Sequence, residues 1–501
     1  MKKETKSPKT PSALLSIVPL VVLIGLMFGV VQMFGGNSLA GPSQLALLAA
    51  TGISMTIATL VCHVRWAAIE KQIQQTIGST SVAILVLLVI GMLSGSWMIS
   101  GVVPTMVCYG IELMSPKFFL LCTCLICSIV SVITGSSWTT VATIGVALMC
   151  IGTALGVPDP WTAGAIISGA YFGDKISPLS DTTILAASTC EVPLFTHVRY
   201  MLGTTVPSMI LTLIIFSVAG FLLKPNGNID ASVYSEGLRS TFNISPLTFI
   251  VPIFTILLIA RKVPSLVTLF LASMAAAIYA LIAQPEVLAS IGGGSSFGSI
   301  VKGDLIALFG STSLSTGTPE LDSLVSTRGM AGMLNTVWLI LCALVFGAVM
   351  LASGMLQSIT NLIIRGIRNT VGLVSSTVAT GIIMNLTTCD QYLSIILTGN
   401  MFREAYHQQG CENRLLSRTT EDAATVTSVL IPWNSCGMTQ ATVLGIATTV
   451  YMPYCFFNLI SPLMSIAMSI IGRDIAKHIP PQPADKGSYQ RKHCGTCSGN
   501  I

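Results

Sequence analysis

Charge is what this sequence has least of. Asp, Glu, Lys and Arg make up 9% of its 501 residues, against about 25% in soluble domains. With 52% apolar residues and a mean hydropathy of +0.79, that deficit excludes a water-soluble globular enzyme, a nucleic-acid binder and a disordered chain. The alternating apolar and polar strands of a β-barrel are missing as well. No P-loop is present: Gly292-Gly293-Gly294-Ser295-Ser296 lacks the lysine, so ATP-driven transport would need another subunit. The histidines show no metal-ligand spacing, and no cofactor is expected. An intramembrane aspartyl protease would need GxGD, but Tyr171 stands where the first Gly belongs. What remains is an all-α polytopic membrane protein with the bilayer as its solvent, long enough for about ten to fourteen spans. The net charge of +5 resides in loops and tails and identifies no partner.

Lys2, Lys3, Lys6 and Lys9 form a basic N-tail, 1–11, expected to be cytoplasmic. The apolar run from about Leu14 to Phe34 exceeds a signal-peptide core and is read as an uncleaved first span, with Ser38-Leu39-Ala40 as the competing cleavage site. Most cysteines lie in apolar stretches, where Cys behaves as a small hydrophobe. The exception, His493-Cys494-Gly495-Thr496-Cys497, offers one CxxC pair. That is too few ligands for zinc, so 473–501 is read as a polar C-tail.

Apolar runs fall near 12–35, 43–64, 79–115, 117–134, 160–190 and 200–224. After a polar stretch they resume near 245–260, 263–283, 334–364, 371–388, 419–447 and 449–472. This divides the chain into a transmembrane repeat at 12–224, a connecting loop at 225–244 and a second repeat at 245–472. In the first repeat, loop 36–42 is uncharged and Arg65 and Lys71 follow the second run. In the second, Arg261-Lys262 follow the first run, 284–333 is net acidic, and Arg365 and Arg368 come next. Basic loops stay cytoplasmic, so the repeats are expected to have inverted topology. That requires an odd number of crossings in each, and 79–115 is expected to hold two segments.

The densest polar cluster in an apolar region is Gly173-Asp174-Lys175-Ile176-Ser177-Pro178-Leu179-Ser180-Asp181-Thr182-Thr183. One charge at mid-membrane costs about 2.5–3.5 kcal/mol, so three need partners or a water-filled site. Pro178 removes the hydrogen bond to the carbonyl of Asp174 and is expected to break the helix there. The competing reading is a solvated loop. Upstream, Thr134-Gly135-Ser136-Ser137-Trp138-Thr139-Thr140 suits the tip of a re-entrant hairpin. Asn385-Leu386-Thr387-Thr388-Cys389-Asp390-Gln391 and Ile431-Pro432-Trp433-Asn434-Ser435-Cys436 are their expected counterparts. Ser137 to Pro178 is 41 positions and Thr388 to Pro432 is 44. An alternative register pairs Ile167-Ser168-Gly169 with Leu397-Thr398-Gly399 and sets Asp174 opposite Glu404. Arg418, Glu421 and Asp422 form a third charged group, in which Arg418 and Asp422, four apart, suit either a plain helix-surface pair or a site.

At the eleven-residue motif 173–183 the chain resembles the NhaC family of Na⁺/H⁺ antiporters in the ion transporter superfamily. The resemblance extends to Gly95-Ser96-Trp97, Gly101-Val102-Val103-Pro104, Thr134–Thr140, Thr388-Cys389-Asp390-Gln391 and Ser417-Arg418-Thr419-Thr420-Glu421-Asp422. It implies a secondary transporter of the cytoplasmic membrane, not an enzyme, exchanging Na⁺ (and Li⁺ as a further cation) for H⁺. Some members of that family resemble malate/lactate exchangers, so a Na⁺/H⁺-coupled organic-acid exchanger is the alternative. The working site places Na⁺ at Asp174, Asp181 and Asp390, where protonation would displace it. Ser137, Thr140, Ser180, Thr182, Thr388, Asn434 and Ser435 are expected to help bind ion or proton, with Lys175 and Arg418 compensating charge. Pro178 and Pro432 are the expected helix breaks, both termini are expected to be cytoplasmic, and a homodimer is the candidate assembly.

Overall fold

A chain in lipid has no water to satisfy its peptide groups, so apolar runs must close their hydrogen bonds as helices. The computed structural model describes residues 11–34, 40–223, 231–316, 321–322, 325–364 and 367–472. Among these the backbone is helical, apart from linkers and one isolated bridge between Thr312 and Thr327. Lys2, Lys3, Lys6, Lys9, Ser38, Leu39, residues 225–230, Arg365 and the tail with His493, Cys494 and Cys497 lie outside the described residues.

The first half comprises α1 (Ala13–Phe34), α2 (Pro42–Val61), α3 (Trp66–Ile99), α4 (Val102–Leu113), α5 (Pro116–Thr134) and α6 (Ser137–Ala154). It continues through α7 (Asp159–Ile176), α8 (Asp181–Thr189) and α9 (Leu194–Leu222). A connecting helix, α10 (Ala231–Thr241), leads to α11 (Pro246–Ala260), α12 (Ser265–Ala283), α13 (Pro285–Gly292) and α14 (Phe297–Phe309). Then follow α15 (Met330–Ala352), α16 (Met355–Ile364), α17 (Thr370–Thr388), α18 (Gln391–Gln408) and α19 (413–430). The last described helices are α20 (Ser435–Leu444), α21 (Thr448–Tyr454) and α22 (Phe456–Ile471). Nine described helices are long and apolar enough to cross a membrane. The number is eleven if each of the bent pairs α10–α11 and α21–α22 counts as one span.

Three boundaries differ from the sequence reading. Run 79–115 is indeed two segments, divided at Ser100-Gly101, where Gly101 takes φ 79°. The first segment begins earlier, at Trp66, so Lys71 lies on a helix rather than in a loop. The expected connecting loop and 284–333 both contain helices, α10 and α13–α14.

The two halves repeat without a single insertion from α5 to α8. Residues 116–134 recur at 370–388, a shift of 254, and 137–154, 159–176 and the start of α8 at 181 recur at 391–408, 413–430 and 435 with the same shift. Local geometry obeys that register. Left-handed Gly135 (φ 64°) matches Cys389 (φ 58°), and the helix caps Ser136 and Ser180 match Asp390 and Asn434. The hydroxyl of Ser131 donates to the carbonyl of Ala170, and the amide of Asn385 donates to that of Ala424. Pro178 therefore pairs with Pro432, as expected from sequence. The counterpart of Ser137 is Gln391 rather than Thr388, which removes the apparent mismatch of 41 against 44 positions. Asp174 corresponds to Ser428, and Glu404 is exposed on α18, so the alternative register fails.

Packing near the site depends on close approach. A Cβ on Gly169 would stand 2.2 Å from the carbonyl oxygen of Cys124, and one on Gly173 2.4 Å from that of Ser128. These glycines, four apart on α7, let it pack directly against α5 and so set the position of Asp174. Gly173→Val is expected to cost about 1–3 kcal/mol through overpacking, seen as a lower thermal midpoint or folded yield of detergent-purified protein. Gly52→Ala, which meets nothing within 4 Å, should leave both unchanged.

Candidate ion-binding site

Asp174 sits in the last turn of α7, and the chain then breaks at 177–180 before α8 begins. The break follows from Pro178, which has no N–H to continue the helix. The carbonyl of Asp174 is not left open, contrary to the sequence reading. It accepts from the amide of Ser177 (3.2 Å) and the hydroxyl of Thr183 (3.3 Å). The side chain is the available group. One carboxylate oxygen accepts from the backbone N–H (3.1 Å) and hydroxyl (2.7 Å) of Ser137, and the other from the hydroxyl of Ser180 (2.6 Å). Ser180 is itself 3.0 Å from the hydroxyl of Thr182.

The hairpin tip makes this arrangement possible. Gly135 has a left-handed φ, and any Cβ there would stand 2.8 Å from the backbone of Leu179. The tip and the break therefore lie backbone to backbone. The N-terminal end of α6 donates its Ser137 N–H to Asp174, and Ser180, the cap of α8, donates its hydroxyl, where helix dipoles favour negative charge.

A cavity of about 650 Å³ reaches this point. Its wall includes Ser79, Ser137, Asp174, Ser180, Asp181, Thr182, Lys262, Gln391 and Tyr392. Five of the residues singled out from sequence, Ser137, Asp174, Ser180, Asp181 and Thr182, thus share one space. Asp181 is exposed, whereas Asp174 is buried. One carboxylate with three hydroxyls is an oxygen set suited to a hard cation.

The other predicted residues serve elsewhere. Thr140 donates to the carbonyl of Ser136 (2.9 Å) and is not in the cavity wall. Asp390 caps α18 through the amide of Leu393 (2.9 Å), and its second oxygen is buried with no partner among the described residues. Thr388 donates within its own turn to Met384 (2.9 Å), Asn434 caps α20 and holds the carbonyl of Asn385 (3.1 Å), and the Ser435 amide donates to Cys389 (2.9 Å). These four form the clasp that closes the second break. None of them lines the cavity.

Sequence reasoning missed the principal electrostatic contact. Lys175, fully buried, makes an ion pair with Asp422 on α19. Thr204 on α9 donates to Asp422 (2.8 Å), as do Ser461 (2.9 Å) and Ser465 on α22. Lys175 also donates to Ser461 (3.0 Å). Arg418 and Asp422 are both fully buried and so are not a helix-surface pair; the Arg418 guanidinium lies 4.8 Å from the Tyr200 ring centroid. Between them Glu421 is also fully buried. The available signal was chemical: Lys175 in an apolar segment requires an anion, and Glu421-Asp422 are adjacent acids in an apolar run.

Removing one partner of a buried pair costs about 3–5 kcal/mol, while replacing both with apolar groups is often neutral. Lys175→Met and Asp422→Leu are each expected to lower the thermal midpoint strongly in detergent. The double variant should recover most of the loss, and thermal unfolding of all three measures it.

The Na⁺/H⁺ antiporter family model matches residues 6–190 and 169–473. The chain is 34% identical to the Na⁺/H⁺ antiporter NhaC of Bacillus subtilis, over 84% of this chain and 90% of that protein. It is 33% identical to the malate-2H⁺/Na⁺-lactate antiporter of the same organism, over 92% and 96%. Against the NhaC protein of Alkalihalophilus pseudofirmus the identity is 36%, over 79% and 83%. On this likeness along most of its length, the chain belongs to the Na⁺/H⁺ antiporter family.

Proposed function

We propose that this multi-pass membrane protein is a secondary transporter exchanging Na⁺, with Li⁺ as a second cation, for H⁺ across the cytoplasmic membrane. The observation that carries this reading is Asp174, buried in the wall of the cavity and surrounded by the hydroxyls of Ser137, Ser180 and Thr182. A desolvated cation there gains one negative charge and several oxygens. Two of the three donors now on the carboxylate, the hydroxyls of Ser137 and Ser180, can turn their oxygens toward an ion. Asp181, at the same wall, adds negative charge to the approach.

The 254-residue register supports two repeats at 12–224 and 245–472 built on one plan, and the charge pattern of their loops supports inversion. The cavity wall joins Ser79 on α3 to Lys262 between α11 and α12. These residues neighbour the two basic segments, Arg65 with Lys71 and Arg261-Lys262, that the positive-inside rule assigns to the cytoplasm. On this reading the cavity opens inward, both termini are cytoplasmic, and one bundle moves against the other to expose Asp174 to the far side.

The organic-acid alternative has the malate/lactate relative in its favour. A substrate carboxylate would need a cation beside it. Lys175 is committed to Asp422, and neither Lys175 nor Arg418 lines the cavity. The charges that do face it are Asp174, Asp181 and Lys262, a balance that favours a cation.

In proteoliposomes holding a trapped pH dye, a Na⁺ gradient without organic acid is expected to change the internal pH. Asp174→Asn should reduce that change to the protein-free background at normal expression. Normal exchange by the variant would remove Asp174 from the site. A response that appears only with malate or lactate would move the protein to anion-coupled exchange.

A further inference from the structure

Glu421 is the one buried carboxylate in this region with neither oxygen hydrogen-bonded among the described residues. Both of its side-chain oxygens are buried and unpartnered among the described residues. The Thr425 hydroxyl, four positions on, is the polar group beside it. Asp174, by contrast, has three donors and Asp422 has a lysine and three hydroxyls. A buried ionised carboxylate with no ion-pair partner is far too costly to persist, so Glu421 carries a proton here.

Its backbone setting is unusual too. Residues Glu421–Thr425 form a π-turn within α19, with Glu421 at its start, and such turns concentrate at functional sites. The corresponding position in the first half is Ile167, in an unbroken helix. The repeat therefore does not require either the acid or the turn.

We propose that Glu421 holds an exchanged proton, at a position separate from the cation at Asp174. The inference rests on the Na⁺/H⁺ exchange proposed above. Glu421 is the residue before Asp422, which pairs with Lys175, and Lys175 is the residue after Asp174. The lysine is already neutralised by Asp422, so the pair Asp174 and Glu421 is left to respond to ions. Na⁺ arriving at Asp174 repels the Glu421 proton, which leaves the carboxyl for water. A neutral, protonated Glu421 in turn weakens Na⁺ binding, because linkage between two sites is reciprocal. Antiport follows from two carboxylates in electrostatic contact, each holding its own ion.

The groups packed around Glu421 leave it as the titrating member. Helices α17 and α22 contribute no charged or titratable side chain. On α18, Glu404 and His407 are exposed, Arg403 is engaged with Glu191, and Tyr406 shares a hydrogen bond with Thr377. Asp181 on α8 is exposed, and Cys190 after it is buried. On its own helix, Arg418 lies over Tyr200.

The test uses the full chain in proteoliposomes, with two readouts: Na⁺-driven pH change and ²²Na⁺/Na⁺ exchange, which needs no proton. Glu421→Gln is expected to abolish the pH change. Sodium self-exchange should survive, independent of pH and with half-saturating Na⁺ raised about tenfold. Glu421→Asp should keep both activities, with its pH profile moved acidward by about 0.4 unit, the intrinsic difference between the two acids. Na⁺/H⁺ exchange by Glu421→Gln with an unchanged pH profile would overturn the proposal. So would loss of self-exchange in a Gln variant that still elutes as folded protein. Where the Gln variant does not fold, an unshifted profile in Glu421→Asp overturns it. Failure of the wild-type chain to move protons with Na⁺ would instead remove the parent reading.

Discussion

The Lys175–Asp422 pair is the contact on which the centre of this molecule depends. An ammonium taken out of water must find an anion, and here the anion comes from the other half of the chain. The pair also draws Thr204 and Ser461 to the same point. Four segments, α7, α9, α19 and α22, thereby meet at one buried charge pair. Because Asp174 is the residue before Lys175, the contact that joins the halves also fixes where the cavity carboxylate stands.

Around that pair the fold uses one backbone plan twice and fills it with different chemistry. The shift of 254 residues preserves the left-handed tip, the helix caps and the proline break. It does not preserve the charges. Asp174 and Lys175 correspond to Ser428 and Val429, while Glu421 and Asp422 correspond to Ile167 and Ser168. Each half supplies the charges the other lacks. A symmetric pair of sites would have placed like charges together, whereas this division sets lysine against aspartate across the interface.

The site is accordingly a graded set of carboxylates. Asp181 faces open space, Asp174 lies under three donors in the cavity wall, Asp422 is saturated by a lysine and hydroxyls, and Glu421 has no ion-pair partner among the described residues. Four acids of nearly equal intrinsic chemistry are separated by burial and by what each can accept from. Such separation is what lets neighbouring acids take different roles in one cycle.

The sequence by itself determined the solvent, the helical class and the first-half cluster that gathers at the cavity. Few charges and long apolar runs leave only helices in lipid, and Pro178 amid hydroxyls and aspartates marks a break at Asp174. The second half was harder to read. Thr388 and Asn434 have ligand-type side chains, yet they spend them on their own turn and on closing the second break, and Asp390 commits one carboxylate oxygen to a cap. Sequence pattern cannot distinguish an oxygen that binds an ion from one that satisfies backbone. The register of the repeat was hidden for a related reason, since its markers are backbone conformations shared by unlike residues, such as Gly135 and Cys389. Only the tertiary structure decided that Lys175 meets Asp422, 247 positions away, and that Glu421 meets no cation among the described residues. Partnership between distant charges depends on how helices pack, and no local spacing encodes it.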